Sequence, residues 1–251
     1  FNKMIRRLND LVISEYQAKD ELQKAEISEQ KMAMLYLKQQ INPHFLYNTL
    51  DMIRLKAAIN KDTEVSQMLM KLVSFYRLST KVHDSMVAVR KEVEMLDAYM
   101  SLMCYRYSDI IYRSEIEPGA LDIEIPNFIL QPLLENSLMH GLKDRRYQGT
   151  IILKIYRNEQ DKNELNIWLI DDGIGIPDDK MAELNAYNAK DSETLYRVQT
   201  RTEGDRTHLG VINVISRLKL YYQENAEVIY MRNETGGTTV KIKIKTASEE
   251  T

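Results

Sequence analysis

Three groups of residues in this chain carry side chains suited to chemistry. The first is His44, in the run Gln40-Ile41-Asn42-Pro43-His44-Phe45-Leu46-Tyr47-Asn48. A neutral imidazole is a good nucleophile near neutral pH, and one shown on an exposed helical face can meet a phosphate presented by another part of the protein. Asn48 lies one helical turn on, where its amide can orient the ring. Alone, a surface histidine more often has no role. The second group is Glu135-Asn136 in Ile125-Pro126-Asn127-Phe128-Ile129-Leu130-Gln131-Pro132-Leu133-Leu134-Glu135-Asn136-Ser137-Leu138-Met139-His140-Gly141. An amide oxygen on a helix is a suitable ligand for a hard cation such as Mg²⁺, although such a pair is commonly just polar surface. The third is Leu169-Ile170-Asp171-Asp172-Gly173-Ile174-Gly175-Ile176-Pro177, a strand running into D-x-G-x-G. A carboxylate at a strand end can accept an adenine amino hydrogen while the glycines let backbone approach the base. The same string also suits a calcium loop or a plain turn, but no further acids follow at EF-hand spacing. There is no G-x-x-x-x-G-K-[ST] loop.

These groups need elements to hold them. Steps of four and three residues from Met4 give Leu8, Leu11, Glu15, Ala18, Leu22, Ala25, Glu29, Met32 and Tyr36, a coiled-coil seam with two acidic breaks. Pro43 forces a kink or a restart. After it, Leu46, Leu50, Ile53 and Ala57 form one apolar stripe, with His44 on the opposite side of the helix. Asp62 and Thr63 offer caps for a second helix bearing Val65, Met68, Leu69, Leu72, Val73 and Tyr76, so the two helices are expected to form an antiparallel hairpin. A third helix is expected from Lys91 to Tyr107. From about Asp109 the texture changes to β-rich runs: IIYRSEI, TIILKIYR, LNIWLID, EVIYMR and TTVKIKIK. Helices are expected between them at Asn127 to His140, Asp178 to Tyr187 and Gly210 to Tyr222, which makes an α+β sandwich. The stretch from Ala189 to Thr207 is polar and aperiodic, a length of loop that is usually functional or mobile.

The string QINPHFLYNTL around His44 resembles, almost letter for letter, the phosphoacceptor box of LytS/YesM-like bacterial sensor histidine kinases. The run from Ile125 to Gly141 resembles the N-box of that family and of the wider GHKL ATPases. Thr207-His208-Leu209-Gly210-Val211-Ile212-Asn213-Val214-Ile215-Ser216-Arg217-Leu218 is similar to their second glycine box, and Gly236-Gly237-Thr238-Thr239-Val240 to their closing hairpin. The resemblance covers roughly Leu37 to the end. It implies a coiled-coil signalling helix over 1–36, a helical dimerisation and phosphoacceptor domain over 37–108, and a GHKL (Bergerat) α/β sandwich that binds ATP over 109–248. His44 is then the phosphoacceptor, Asn136 the Mg²⁺ ligand, and Asp171, rather than Asp172, the adenine reader. Gly173, Gly175, Gly210, Thr238 and His140 are implied around the nucleotide, with Gly210 leading into a helix whose amino end faces the phosphates. Glu135 is implied as a group that polarises the attacking imidazole or holds a Mg²⁺-bound water. Met139 replaces a common lysine or arginine, and His208 stands where the first glycine is expected. Phe45 follows the histidine where many histidine kinases carry an acid, so the general base stays open among Glu135 and Asp51, with Asn48 as an orienting group.

Composition narrows the alternatives. The 251 residues carry 34 basic and 37 acidic side chains, interspersed, for a net charge of −3. No basic face recommends direct nucleic-acid binding. The single cysteine, Cys104, excludes an internal disulfide framework and fits a reducing compartment. No run approaches the roughly 18 to 20 apolar residues of a membrane span. The chain opens at Phe1 in a helical pattern, which suggests a piece of something longer. The resemblance therefore implies a homodimer that passes phosphate to a response regulator, anchored in the cell membrane through segments outside this sequence, with this portion cytoplasmic. Two other classes compete: a dimeric ATP-binding scaffold without kinase activity, which Met139 and His208 would favour, and a GHKL ATPase that hydrolyses ATP as a conformational clock, which the box around His44 disfavours.

Overall fold

The computed structural model describes residues 43–81, 85–190, 194–195 and 206–246. The heptad seam over 1–36 lies outside the described residues, as does the polar stretch over 196–205. The chain divides into two compact units, Phe1–Ile53 and Arg54–Thr251.

Helix α1 runs from Pro43 to Ile59. Of the stripe expected on α1, Leu46 and Leu50 are half-buried and Ala57 is buried, but Ile53 is exposed. The helix also carries Met52, Leu55 and Ile59 in the open, so its apolar residues are split between faces. A turn through Lys61, at φ +59°, leads into α2 (Thr63–Lys81). As its spacing predicts, Asp62 caps α2, its Oδ1 accepting from the Val65 N–H at 3.1 Å.

Along the rest of the chain come β1 (Met86–Ala88), α3 (Val89–Arg106), β2 (Ile110–Ile116), β3 (Glu124–Pro126) and α4 (Leu130–Asn136). The helical path continues from α4 as a π-helix, Ser137–Leu142. Then follow β4 (Gly149–Arg157), β5 (Glu164–Asp171), α5 (Asp178–Ala186), α6 (Arg206–Tyr222), β6 (Ala226–Arg232) and β7 (Thr238–Lys245). All five β-rich runs are strands, and they form one sheet in the order β2-β4-β5-β7-β6. The β2–β4 pair is parallel and the others are antiparallel. Strands β1 and β3 make a separate antiparallel pair.

Alternation along the strands decides which face is dry. Ile151, Leu153 and Ile155 of β4, Leu165, Ile167 and Leu169 of β5, and Val240, Ile242 and Ile244 of β7 are buried together with Leu130, Leu133 and Leu134 of α4 and Val211, Ile215 and Leu218 of α6. Burying each large side chain of this kind stabilises by roughly 1.5–3 kcal/mol. Helix α3 joins the same core through Val89, Val93, Leu96 and Met100. It also holds α2, through the Phe75–Tyr99 ring contact at 5.3 Å and the Tyr105 hydroxyl donating to the Glu64 carbonyl at 3.0 Å. A boundary at 108/109 thus falls between α3 and the sheet on which α3 packs. The core crosses it because the apolar stripe of α3 has the sheet as its burial partner.

Candidate functional site

The site grows from the end of β5. Leu165, Ile167, Leu169 and Asp171 share one parity, so the alternation that buries the leucines also turns the Asp171 carboxylate inward, leaving it 3 % exposed. Asp172, next along, ties the start of β4: its Oδ1 accepts from the Thr150 N–H at 2.8 Å and stands 3.6 Å from Arg145 Nη1. Pleating thus separates the two acids.

A buried carboxylate needs donors. Asp171 Oδ1 accepts from the Gly173 N–H at 3.0 Å and from the Thr238 N–H at 3.1 Å, while Oδ2 accepts from the Ser137 hydroxyl at 2.8 Å. Burial pushes its pKa above the usual carboxylate range, and these three donors pull the other way. An ionised carboxylate offers about four lone-pair sites, so three protein donors leave one on Oδ2 for a further hydrogen.

The loop after β5 lies close against the π-helix. A Cβ on Gly173 would sit 2.5 Å from the Gly141 carbonyl oxygen, so the glycine is required by the close approach of two backbones. The Ile174 N–H donates to that same carbonyl at 3.1 Å. Gly175 adopts φ +75° and turns the loop against the Gly236–Gly237 corner. That corner is held by Asn233, whose Nδ2 donates to the Asp171 carbonyl at 2.7 Å. π-turns are rare and recur at functional sites; this one carries His140 and Gly141.

Asn136 ends α4, half-buried, and its amide has no hydrogen-bond partner among the described residues. Glu135 beside it accepts from Gln131 Nε2 at 2.8 Å. Burial, with the Glu135 charge nearby, pushes the Tyr99 hydroxyl up to about 12. His140 and Met139 are exposed, and Met139 Sδ accepts from the Tyr147 hydroxyl at 3.8 Å. Thr238 is buried at the start of β7. The fold therefore brings Asn136, His140, Asp171, Gly173, Gly175 and Thr238 onto neighbouring elements of one unit.

Two expectations need correction. The helix around the N-box does not begin at Asn127: α4 starts at Leu130, because Phe128 takes φ +58° and breaks any helical path before it. Nor does Gly210 lead into a helix. It lies inside α6, which already runs from Arg206, so it does not form the helix's amino end. A Cβ there would be in ordinary contact with Pro132, 3.7 Å away. His44 stands second in α1 with Asn48, exposed, one turn on; the His44 and His208 side chains lie outside the described residues.

Ser137, Asn233 and Glu92 were not foreseen. Glu92 is 1 % exposed in α3 and accepts from the backbone of the turn ahead of α4, the Phe128 N–H at 2.8 Å and the Leu130 N–H at 3.2 Å. Among the described residues no helix is long and apolar enough to cross a membrane. Cys104 is half-buried in α3, and burial raises its pKa.

Comparison with known proteins places these residues among relatives. The profile for "Histidine kinase" matches residues 32–111, and that for "Histidine kinase-, DNA gyrase B-, and HSP90-like ATPase" matches residues 122–248. The chain is 31 % identical over 211 residues to the sensor protein LytS of Oceanobacillus iheyensis, covering 83 % of this chain and 33 % of that protein. It is 27 % identical over 218 residues to the sensor histidine kinase YpdA of Escherichia coli, covering 85 % of this chain and 34 % of that one. The chain thus spans about a third of the length of these curated relatives. Among solved structures it is similar to the histidine kinase domain of the Erythrobacter litoralis EL346 blue-light activated histidine kinase, with 18 % identity, a TM-score of 0.45, and coverage of 79 % of this chain and 84 % of that one.

Proposed function

This chain belongs to the histidine kinase-, DNA gyrase B- and HSP90-like ATPase family and carries the histidine kinase region ahead of the ATPase domain, and from that premise we propose that it is the kinase portion of a two-component sensor that moves the γ-phosphate of ATP onto its own His44. The observation that carries the reading is Asp171: a buried carboxylate, held by three protein donors, with one acceptor position left for an adenine amino hydrogen.

Gly173 and Gly175 let backbone line the base, Thr238 closes the hairpin side, and His140 on the π-helix and Gly210 within α6 are assigned to the ribose and phosphates. An imidazole nitrogen of His44 attacks the γ-phosphorus, the bond to the β-phosphate oxygen breaks, and ADP leaves. Positioning dominates such chemistry. The Asn136 amide fits Mg²⁺, which takes hard oxygen ligands and keeps several waters; when bound, the ion would supply charge neutralisation on the phosphates. Glu135 is assigned to polarise the attacking ring or to hold a metal-bound water. Asn48 is assigned to orient His44, and Asp51 is a second candidate base.

The phosphate then passes to an aspartate of a response regulator. A homodimer is supported by the open apolar side chains Leu55, Ile59, Val65 and Met70 on α1 and α2. Anchoring in the cell membrane, with this portion cytoplasmic, falls to segments outside this sequence.

The test is incubation with γ-labelled ATP and Mg²⁺, comparing wild type, His44→Gln and Asn136→Ala. Acid-labile, alkali-stable label in wild type that is lost in both variants is expected. Nucleotide binding without label would shift the reading to a scaffold, and steady phosphate release without label to an ATPase clock.

A further inference from the structure

Glu92 is a buried acid, and Arg217 of α6 is the nearby charge that favours its ionised form. Its carboxylate accepts the backbone amides of Phe128 and Leu130, one on either side of Ile129. Phe128 is left-handed at φ +58° and Ile129 right-handed at φ −94°. Successive residues of opposite hand turn their N–H groups toward one point and form a concave seat for an anion. Here the anion is supplied by α3. A phenylalanine at positive φ is strained and persists only where its surroundings over-determine it. The turn is tied from a second side by Arg217 of α6, whose Nη1 donates to the Asn127 carbonyl. One short turn therefore joins α3, α4 and α6.

We propose that Glu92 is a positioning residue for the metal-phosphate end of the nucleotide site, acting by setting where α4 begins and hence where Asn136 stands. This rests on the roles of Asn136 and Asp171 proposed above. Helix α4 is short, so about 9 Å of helix separates Leu130 from Asn136 and little intervening structure can absorb a shift at its start. Asp171 is anchored mainly elsewhere, on β5 and by the Gly173 and Thr238 amides, and only its Ser137 donor comes from the path that continues α4. Disturbing the Glu92 seat should therefore weaken the metal-dependent part of nucleotide binding and spare the part that reads the base. Stability alone makes no such distinction.

The test is Glu92→Gln in the full 251-residue chain, with ADP titrated calorimetrically in EDTA and again in Mg²⁺. Glutamine keeps one acceptor oxygen but points an N–H₂ at an amide that needs an acceptor. The expected result is affinity in EDTA within about twofold of wild type and a loss of about tenfold in the enhancement that Mg²⁺ provides, within the usual range of intersite coupling. An unchanged enhancement, or equal losses with and without the metal, would overturn the proposal. Wild type that binds no ADP would instead overturn the parent reading, and this one with it. Should the variant fail to fold, hydrogen exchange on wild type serves: coupling is reciprocal, so the amides of residues 128–130 should slow more with Mg²⁺-ADP than with ADP in EDTA. Equal protection would refute it.

Discussion

Replacing Asp171 by asparagine separates what this residue does for the fold from what it does for the ligand. In the folded protein Oδ1 takes two N–H bonds and Oδ2 takes the Ser137 hydroxyl. Asparagine can keep its oxygen at the Oδ1 position, so both backbone amides stay satisfied. Its nitrogen then stands where Oδ2 was, and the Ser137 hydroxyl can rotate to accept from it. The buried charge disappears, and burial is the leading cause of the raised pKa of Asp171. A carboxyl whose folded pKa is raised stabilises most below its unfolded pKa, near 3.9, and loses that contribution as the pH climbs through the folded pKa. Wild type therefore carries the cost of ionised Asp171 at neutral pH, and the variant does not. The melting temperature of Asp171→Asn should equal or exceed that of wild type at pH 7.5, with the difference shrinking toward pH 4. Binding should respond in the opposite sense. The one remaining acceptor position becomes a donor facing the adenine amino group, and an unmet buried donor costs about 1–3 kcal/mol, or about 5- to 150-fold in affinity. Calorimetric titration with ADP in EDTA, beside thermal melts at pH 4, 5.5 and 7.5, reads both effects. Wild-type ADP affinity in the variant, or a melting temperature lowered by more than about 4 °C at pH 7.5, roughly 1–2 kcal/mol for a domain of this size, would refute the reasoning.

Two further outcomes follow from the geometry. In Gly173→Ala the new methyl would lie 2.5 Å from the Gly141 carbonyl, so backbone must move, at a cost of about 1–3 kcal/mol; a lower melting temperature and weaker ADP binding should appear together, and an unchanged melt would show that the π-turn is softer than its contacts imply. Ile59 is 79 % exposed at the end of α1; Ile59→Lys should shift sedimentation at micromolar concentration toward monomer while leaving ADP affinity unchanged, and an unaltered dimer would place the interface elsewhere.

Much of this molecule was legible before folding, because period and chemistry are local properties. The five β-rich runs became the five strands of one sheet, since alternation and β-branching report directly on a half-buried pleated surface. The Asp62 cap rests on a single residue and is where its type requires it. The distinction between Asp171 and Asp172 was also present as a parity shared with Leu165, Ile167 and Leu169, although resemblance to a family named the residue first. Glu92 left a fainter trace, an acid between Val89 and Leu96 on the apolar stripe of α3.

Other features belong to the tertiary structure alone. That α3 completes the core of the sheet depends on which surface its stripe meets. The start of α4 at Leu130 depends on a carboxylate 38 residues upstream, which no local propensity can report. The π-turn that brings Gly141 against Gly173, and the donors from Ser137 and Thr238 that hold Asp171, arise because a buried polar atom must be satisfied by whatever the fold brings near it. Side-chain type and spacing announced which residues could do chemistry; the aim of each depends on long-range packing and the satisfaction of buried polar groups, and these exist only once the chain has closed on itself.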